Sequence, residues 1–238
     1  MGRIEPGSGH YRHVFWDWNG TLHNDACLCV DILNRLLARR GYGVITLEDY
    51  QAEFDFPVVD YYQRIGFDFT SEDFEVVAAE YIMAYDTERY ECPLQPGVRE
   101  ALELCREAGL TQSILSAYQQ SRLEQIIDYF GLRRYFTSLH GLTDHYATSK
   151  VELGRATLAA LGHEPDEVLM VGDTLHDYEV AEAIGIDCVL FSRGHHPHYR
   201  LEAPGVPVVA TLEEAARYAV AGSRCGAPGL KPQVPGGA

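Results

Sequence analysis

The chain has 238 residues, of which 46% are hydrophobic, and its formal net charge is -16. This length allows one good core and a smaller appended domain. The negative charge argues against nucleic acid and anionic membrane surfaces as partners, because both would be repelled. A small anionic substrate is compatible with this negative charge if a local cation makes the electrostatic potential positive inside one pocket.

The cysteines and the apolar runs predict a cytoplasmic protein. Six cysteines form no CxxC pair and no dense framework, so we expect reduced thiols that mostly pack in the interior. Residues 1–10 contain no apolar signal core, and no uninterrupted apolar run reaches about 18 residues, the length needed to cross a bilayer. We therefore expect a soluble protein without a membrane partner. No pattern in the chain specifies an oligomeric state.

The first element in chain order is a short buried strand at residues 14–16, and a long helical segment follows it. Apolar residues recur with a helical period in two stretches of that segment, from Leu28 to Leu37 and from Phe74 to Tyr85. Pro57 is placed to open a short helix between them. Since no strand pattern interrupts the segment, we predict an all-helical domain inserted at residues 23–95.

From Pro96 onward, helices and strands alternate. Strands are expected near residues 113–115, 135–139, 168–171, 188–191 and 206–209, with helices between them and a last helix to Val220. This alternation predicts an α/β core, residues 11–22 and 96–221, with a Rossmann-like parallel sheet and helices on both faces. Residues 1–10 and the Gly- and Pro-rich residues 222–238 are predicted to be flexible.

Acidic motifs follow two of the predicted strands. DWNGT, residues 17–21, comes after the strand at 14–16, and GDTLHD, residues 172–177, comes after the strand at 168–171. In parallel sheets, ligands bind beyond the carboxyl ends of the strands, where both motifs would lie. Two carboxylate-bearing strand ends predict a divalent cation between them. Asp17 could attack phosphorus and form an acyl phosphate if the phosphoryl charge is neutralised.

A hydroxyl and an ammonium complete this set of candidate groups. Ser116 follows the strand at 113–115 and could donate a hydrogen bond to a phosphoryl oxygen. Lys150 opens a predicted helix and is one of two lysines in the chain. A cation in the first helical turn is mildly unfavourable against the helix dipole, so helix design does not explain it. A lysine at this position would be explained if its ammonium pairs with a phosphoryl oxygen and with the nucleophile carboxylate.

In this order, the motifs Asp17-x-Asn19-Gly20-Thr21, Ser116, Lys150 and Gly172-Asp173-x-x-x-Asp177 resemble those of the haloacid dehalogenase superfamily. The resemblance spans about residues 13 to 220, and segment 23–95 looks like that family's helical cap. It implies a phosphatase of small phosphorylated metabolites that uses Mg²⁺. Asp17 would be the nucleophile, and the implied catalytic residues are Asp17, Asn19 and Lys150. The implied metal site comprises Asp17, the main-chain carbonyl of Asn19, Asp173 and, through water, Asp177. The expected phosphate-binding residues are Asn19, Gly20, Ser116, Ala117 and Lys150.

Asn19 is the departure from the family pattern. Phosphatases of the superfamily usually have an aspartate there, which protonates the leaving oxygen and then deprotonates the attacking water. An amide does neither, although its main-chain carbonyl can bind metal. General acid-base help is worth about 10² to 10⁴-fold, so we predict a slow or atypical hydrolase. An activated leaving group, or an acid from the cap or the substrate, would make up for the missing carboxylate.

Relatives in that superfamily that lack this aspartate catalyse two other reactions. Phosphonate-cleaving members use a cap lysine, but residues 23–95 contain none. Haloacid dehalogenases need no metal, whereas the pair Asp173 and Asp177 indicates a retained cation site. A catalytically weak phosphometabolite-binding or regulatory protein and a phosphotransferase are the alternatives to the hydrolase.

Three further features have weaker sequence signals. His195, His196 and His198 form a histidine-rich stretch without matching cysteines or acids, so a solvent-exposed loop at the rim of the site is the favoured interpretation. The aromatic residues between positions 54 and 69 are expected to form the interior of the helical domain. Arg64 is the cap cation expected to face the substrate, and Tyr118 is a second candidate for substrate contact.

Overall fold

The computed structural model describes residues 11–142 and 149–224. Within these ranges it contains one sheet of six parallel strands in the order β3-β2-β1-β4-β5-β6. The strands are β1 (His13–Trp16), β2 (Thr111–Gln119), β3 (Ser138–Leu142), β4 (Val168–Gly172), β5 (Asp187–Phe191) and β6 (Val208–Val209). The central strands β1 and β4 are buried along their whole length, as expected for a sheet covered on both faces.

Four helices form the insertion between β1 and β2. They are α1 (Ala26–Arg39), α2 (Leu47–Glu53), α3 (Val58–Arg64) and α4 (Phe74–Glu88). Their apolar faces meet in a separate core that includes Ile32, Leu37, Tyr61 and Val77. Pro57 takes the N-cap position of α3, as its sequence position predicts. We refer to residues 26–88 as the cap.

The remaining helices cover the two faces of the sheet. They are α5 (Val98–Glu107), α6 (Gln120–Tyr129), α7 (Lys150–Leu161), α8 (Leu175–Ile184), α9 (His198–Leu201) and α10 (Leu212–Arg224). Side chains alternate across a strand, so Val14 and Trp16 pack on one face with α5, α6 and α10, whereas Phe15 packs on the other with α7, α8 and α9. The predicted α/β fold with a Rossmann-like parallel sheet is confirmed.

Two short linkers join the cap to the sheet and run side by side. His23 and Leu94 form an antiparallel bridge. The Asn24 N–H donates to the Pro93 carbonyl at 3.0 Å, and the Gln95 N–H donates to the Leu22 carbonyl at 2.9 Å. The chain therefore leaves and re-enters the core at neighbouring points.

Several segments differ from the expected boundaries. Strand β2 extends to Gln119, so Ser116 lies within it and does not follow it. Tyr135 lies in a single 3₁₀ turn, and β3 begins only at Ser138. Helix α10 continues to Arg224, so residues 222–224 are helical and not part of a flexible tail. Gly222 is buried against Tyr11, and a Cβ there would lie 2.4 Å from the Tyr11 ring. The expected flexible residues 1–10 and 225–238 lie outside the described residues. Among the described helices, none is long and apolar enough to cross a membrane.

Candidate active site

The carboxyl ends of the strands bring the expected nucleophile and ammonium together. Asp17 directly follows β1, and Lys150 is the first residue of α7. Lys150 Nζ donates to Asp17 Oδ1 at 2.6 Å and to Asp177 Oδ1 at 2.5 Å. All three side chains are buried. Helix design does not explain a lysine in the first turn of α7, but pairing with the two carboxylates does explain Lys150.

Three carboxylates share this pocket with that single ammonium. One oxygen of each of Asp17, Asp173 and Asp177 lies within 4.8 Å of the others. Burial raises the pKa of Asp17 to about 8 and the pKa of Asp173 to about 6, and repulsion from Asp177 adds to both shifts. A second positive charge would relieve this excess, and carboxylate oxygens are the ligands that hard divalent cations prefer. The residues therefore fit a divalent metal ion.

Backbone and hydroxyl groups fix the position of the Asp173 carboxylate. The Thr21 hydroxyl donates to Oδ1 and the His195 N–H donates to Oδ2, both at 2.7 Å. Gly20 and Gly194 allow the two loops to approach this closely. A Cβ on either glycine would lie 2.2 Å or 2.1 Å, respectively, from Asp173 Oδ2. Gly20 also has a φ of 75°, which favours glycine.

Asp177 anchors the lysine and the start of α8 at the same time. Its Oδ2 accepts the backbone N–H groups of Asp173 and Thr174 and the Thr174 hydroxyl, and its own N–H donates to Thr174 Oγ1, which completes a capping box. Its Oδ1 accepts from Lys150. Although burial opposes the shift, the Lys150 ammonium holds the pKa of Asp177 below its ordinary value. Asp177 thus positions Lys150, in addition to its expected place near the metal.

The amide of Asn19 is held by a carboxylate that the sequence analysis did not single out. Asn19 Nδ2 donates to Asp25 Oδ2 at 2.7 Å and to the Tyr85 hydroxyl at 2.6 Å. The Gly20 N–H donates to Asp25 Oδ1 at 2.8 Å, and the Tyr85 hydroxyl donates to Oδ2 at 2.6 Å. The N–H of Gly20, expected to bind phosphate, is therefore already used within the protein.

His195 and His196 do not form the solvent-exposed rim loop that the sequence analysis favoured. His195 is 5% exposed and His196 is fully buried, whereas His198 is exposed. The His195 ring lies between the Tyr50 hydroxyl, 2.9 Å from Nδ1, and Asp25 Oδ1, 3.4 Å from Nε2. Burial opposes ionisation, but the carboxylates of Asp25, Asp173 and Asp17 together outweigh it and raise the pKa of His195 to about 9. His195 is buried because Asp25 and Tyr50 supply partners for its ring, and the local sequence does not reveal them.

The remaining expected phosphate-binding residues border a cavity between cap and core. Its volume is about 320 Å³. Ser116, Ala117 and Tyr118 lie on the core side together with Asp17 and Lys150. On the cap side the lining is mostly aromatic and aliphatic, so several aromatic residues expected only in the cap interior also face the cavity. They include Phe54, Phe56, Tyr61 and Tyr62, and Tyr81 and Tyr85 of α4 also border the cavity.

Arg64 does not reach this cavity. Its guanidinium donates to the Glu53 carbonyl at 2.9 Å, and its side chain is 43% exposed. The sequence analysis did not predict that Asp25 and Tyr85 belong to the site, although Asp25 occupies the N-cap position of α1. An acid at that position ordinarily caps the helix, but this one makes no capping bond and turns to the loop of Asn19 instead.

Comparisons with known proteins agree with this arrangement. The family described as haloacid dehalogenase-like hydrolase matches residues 14–191. The chain belongs to this family. The predicted family membership is therefore confirmed, and the phosphatases among the relatives agree with the predicted enzyme class. Family phosphatases generally use a divalent metal, which agrees with the carboxylate cluster around Asp17.

Proteins similar in sequence to this haloacid dehalogenase-like protein include a kinase and a phosphatase. Tyrosine-protein kinase PtkA from Mycobacterium tuberculosis is 30% identical over 122 residues, 50% of this chain and 42% of PtkA. That match thus spans less than half the length of PtkA. A phosphoglycolate phosphatase from Rhodobacter capsulatus is 25% identical over 187 residues, 76% of this chain and 84% of the relative.

Solved structures share the fold over most of the chain. A structure of PtkA from Mycobacterium tuberculosis has a TM-score of 0.74 at 25% identity, covering 90% of this chain and 99% of that one. A haloacid dehalogenase-like hydrolase from Streptococcus pneumoniae has a TM-score of 0.76 at 16% identity, covering 88% and 98%.

Proposed function

We propose that the protein is an Mg²⁺-dependent phosphohydrolase of small phosphorylated metabolites that works through an aspartyl-phosphate on Asp17. One observation carries the proposal. The Asp17 carboxylate lies buried at the end of a central strand, 2.6 Å from the Lys150 ammonium, and borders a cavity that the cap covers. The named phosphatases among its relatives support the same reaction class.

The chain's own residues supply the nucleophile and the phosphate contacts. An Asp17 oxygen forms a bond to phosphorus while the ester P–O bond breaks and its electron pair leaves with the alcohol oxygen. Lys150 and Ser116 face the transferred phosphoryl group, and Asp177 keeps the lysine in place. Mg²⁺, held by Asp17 and Asp173, would neutralise charge on the phosphoryl oxygens. Water then attacks phosphorus, which releases phosphate and restores the Asp17 carboxylate.

Proton transfer is the weak step in this reaction. Asn19 has no proton to give to the leaving oxygen, and its amide is committed to Asp25 and Tyr85. General acid-base catalysis ordinarily contributes about 10² to 10⁴-fold. We therefore propose slow turnover on esters whose leaving group needs protonation.

Phosphate release from a panel of phosphomonoesters and acetyl phosphate, with Mg²⁺ or with a chelator, tests the proposal. We expect release that requires Mg²⁺ and disappears in Asp17→Asn. Asp166→Asn is the matched control, because Asp166 is exposed and lies outside the cavity. Release that persists in Asp17→Asn would overturn the proposal. Thermal stabilisation by a phosphorylated ligand without any turnover would favour the alternative, a phosphometabolite-binding protein.

A phosphotransferase is the second candidate, and the Asn19 amide favours it. Without a base to activate water, the aspartyl-phosphate would last long enough to meet another acceptor. The relative named tyrosine-protein kinase PtkA agrees with phosphoryl transfer to a hydroxyl. Trapping the phosphorylated enzyme and adding hydroxyl acceptors distinguishes the two. Faster decay of the phosphorylated enzyme with a phosphorylated acceptor as product indicates transfer, whereas decay independent of acceptor indicates hydrolysis.

A further inference from the structure

We infer that the substrate is the phosphate monoester of a single-ring phenol, so that the leaving group is aromatic, uncharged and acidic enough to depart without a protein acid. The inference rests on the proposed function and specifies its substrate class. Three separate features of the site support it: the shape and chemistry of the cavity, the pairing of its charges, and the hydrogen bonds of every group near the leaving oxygen.

The cavity is built to hold a ring. Opposite Asp17 and Lys150, its wall on the cap side consists mostly of aromatic and aliphatic side chains. Phe54 stacks on Tyr50 with ring centroids 4.9 Å apart, and Tyr85 meets Tyr118 edge to face at 5.8 Å. Aromatic rings gain from offset and edge contacts with such walls. A volume of about 320 Å³ is at the small end of ligand pockets and has room for one ring and a phosphate.

The described basic side chains that line the cavity already have carboxylate partners in the protein. Lys150 contacts Asp17 at 2.6 Å, and Arg122 contacts Asp86 at 2.7 Å. His195 lies 3.4 Å from the carboxylate of Asp25, and His176 lies 3.4 Å from that of Glu179. A leaving group with its own carboxylate would therefore find no unpaired cation among the described lining residues. It would instead be repelled by the carboxylates on the wall.

No described group near Asn19 is free to protonate the leaving oxygen. Asn19 carries an amide, and the Tyr85 hydroxyl donates to Asp25. Both ring nitrogens of His195 face protein partners, Nδ1 the Tyr50 hydroxyl and Nε2 the Asp25 carboxylate. The leaving oxygen must then depart as an anion, which is far easier for a phenol, with a pKa of about 10 like the tyrosine side chain, than for an alkyl alcohol.

The reaction balances without any further reactant. An Asp17 oxygen forms the new P–O bond, and the ester P–O bond breaks with its electron pair remaining on the phenol oxygen. Water protonates the phenolate after it leaves. Water then hydrolyses the aspartyl-phosphate to phosphate, as in the proposed function.

Four substrates separate ring binding from leaving-group acidity. We would measure kcat and KM, with Mg²⁺, for phenyl phosphate, benzyl phosphate, 2-phosphoglycolate and acetyl phosphate. Phenyl and benzyl phosphate should have KM values within about threefold of each other, because both place a ring in the cavity. The kcat for phenyl phosphate should exceed that for benzyl phosphate by about 10² or more, the usual contribution of the missing acid. The kcat/KM for 2-phosphoglycolate should be lower again than that for benzyl phosphate.

The outcomes distinguish this inference from the proposed function. If acetyl phosphate is hydrolysed through Asp17 but 2-phosphoglycolate equals or exceeds phenyl phosphate, the function stands and the phenol inference is wrong. If benzyl phosphate is turned over as fast as phenyl phosphate, a protein acid must exist and the inference is again wrong. If no phosphate compound gives release that depends on Asp17, both proposals are overturned.

Cap variants test the ring contact directly. Phe54→Ala and Ile82→Ala each remove part of the apolar wall. Each should lower the ratio of kcat/KM for phenyl phosphate to that for acetyl phosphate by about fivefold to tenfold, the worth of one aromatic contact for Phe54 and of a few buried methylene groups for Ile82. Met83→Ala is the matched control, because Met83 is 69% exposed on the same helix as Ile82. Unchanged ratios in both wall variants, with folding confirmed by thermal melting, would overturn the inference.

Discussion

Replacing Asn19 with aspartate tests whether the amide is required by the neighbouring carboxylate. In the wild-type loop, Asn19 Nδ2 lies 2.7 Å from Asp25 Oδ2. The Asn19→Asp substitution would place two carboxylates at that separation. At an effective dielectric constant of about 20, their repulsion is 332/(20 × 2.7), or about 6 kcal/mol.

Protonating one of the two carboxylates relieves this repulsion at a smaller cost in free energy. Keeping an aspartate with an ordinary pKa of about 3.9 protonated at pH 7 costs 1.36 × (7 - 3.9), or about 4 kcal/mol. The variant should therefore lose about 4 kcal/mol of unfolding free energy at pH 7. Its folded-state pKa is raised above the unfolded value, so the loss should shrink as the pH falls, to about 2 kcal/mol at pH 5.5.

Urea denaturation at both pH values, in buffer with a metal chelator, measures this loss. The double variant Asn19→Asp/Asp25→Asn exchanges the carboxylate and the amide without changing the total charge, and it should recover most of the stability. Asp25→Asn alone is the control, since it removes a carboxylate and adds none. An equal loss at pH 7 and pH 5.5, or no recovery in the double variant, would refute the electrostatic reasoning.

The same double variant has a catalytic consequence. The carboxyl group at position 19, in its protonated form, could give its proton to a leaving oxygen and become a carboxylate, so turnover of benzyl phosphate should rise by about 10²-fold. Asn19→Asp alone should gain less, because part of its population is destabilised. No gain in a folded double variant would show that the leaving-group proton does not limit the reaction.

Three further predictions follow from separate parts of the structure. Burial lowers the pKa of His13 to about 3, so its contribution to stability is complete above pH 6.5 and is lost as the pH falls. Below pH 6.5, the unfolding free energy measured with urea should fall by about 1.4 kcal/mol per pH unit more in the wild type than in His13→Asn. Parallel plots of unfolding free energy against pH for the two proteins would contradict this. Gly194→Ala should lower stability by about 1 to 3 kcal/mol and abolish Mg²⁺-dependent phosphate release, because its Cβ would lie 2.1 Å from Asp173. Gly43→Ala, with open space around the new methyl, should do neither in thermal melts and activity assays. Arg64→Ala should change kcat/KM by less than about twofold, because cavity-lining contacts and not exposed charges decide binding; a tenfold loss would place Arg64 in the site.

Local patterns in the sequence were sufficient to predict most of the fold. Helix α7 begins at Lys150 and ends at Leu161, as expected, because Ser149 caps its start with Glu152 and Gly162 ends it in a left-handed conformation. The strands were recognisable because buried parallel strands are continuous apolar runs. Tyr135 was misassigned because the same kind of apolar residue also fits a 3₁₀ turn.

The candidate site was predictable only where each residue carries its own local signal. Asp17, Ser116, Lys150 and Asp173 each stand at or near a strand end or a helix start, so their convergence followed from the topology. His195 had no such signal, because its partner Asp25 lies 170 residues earlier in the chain. Contacts of this kind depend on how the cap closes over the core, which no local periodicity encodes.

Because the linkers at His23 and Leu94 run side by side, the cap could be replaced by another inserted domain. Both of its ends lie at one point on the core and are tied to each other by backbone hydrogen bonds, which any sequence can form. A different insertion grafted between Asp25 and Pro93 would therefore meet the same two anchors, keep the carboxylate that holds the Asn19 loop, and leave the nucleophile strand in its place. Selectivity could then be redesigned, or could diverge during evolution, without rebuilding the chemistry beneath it.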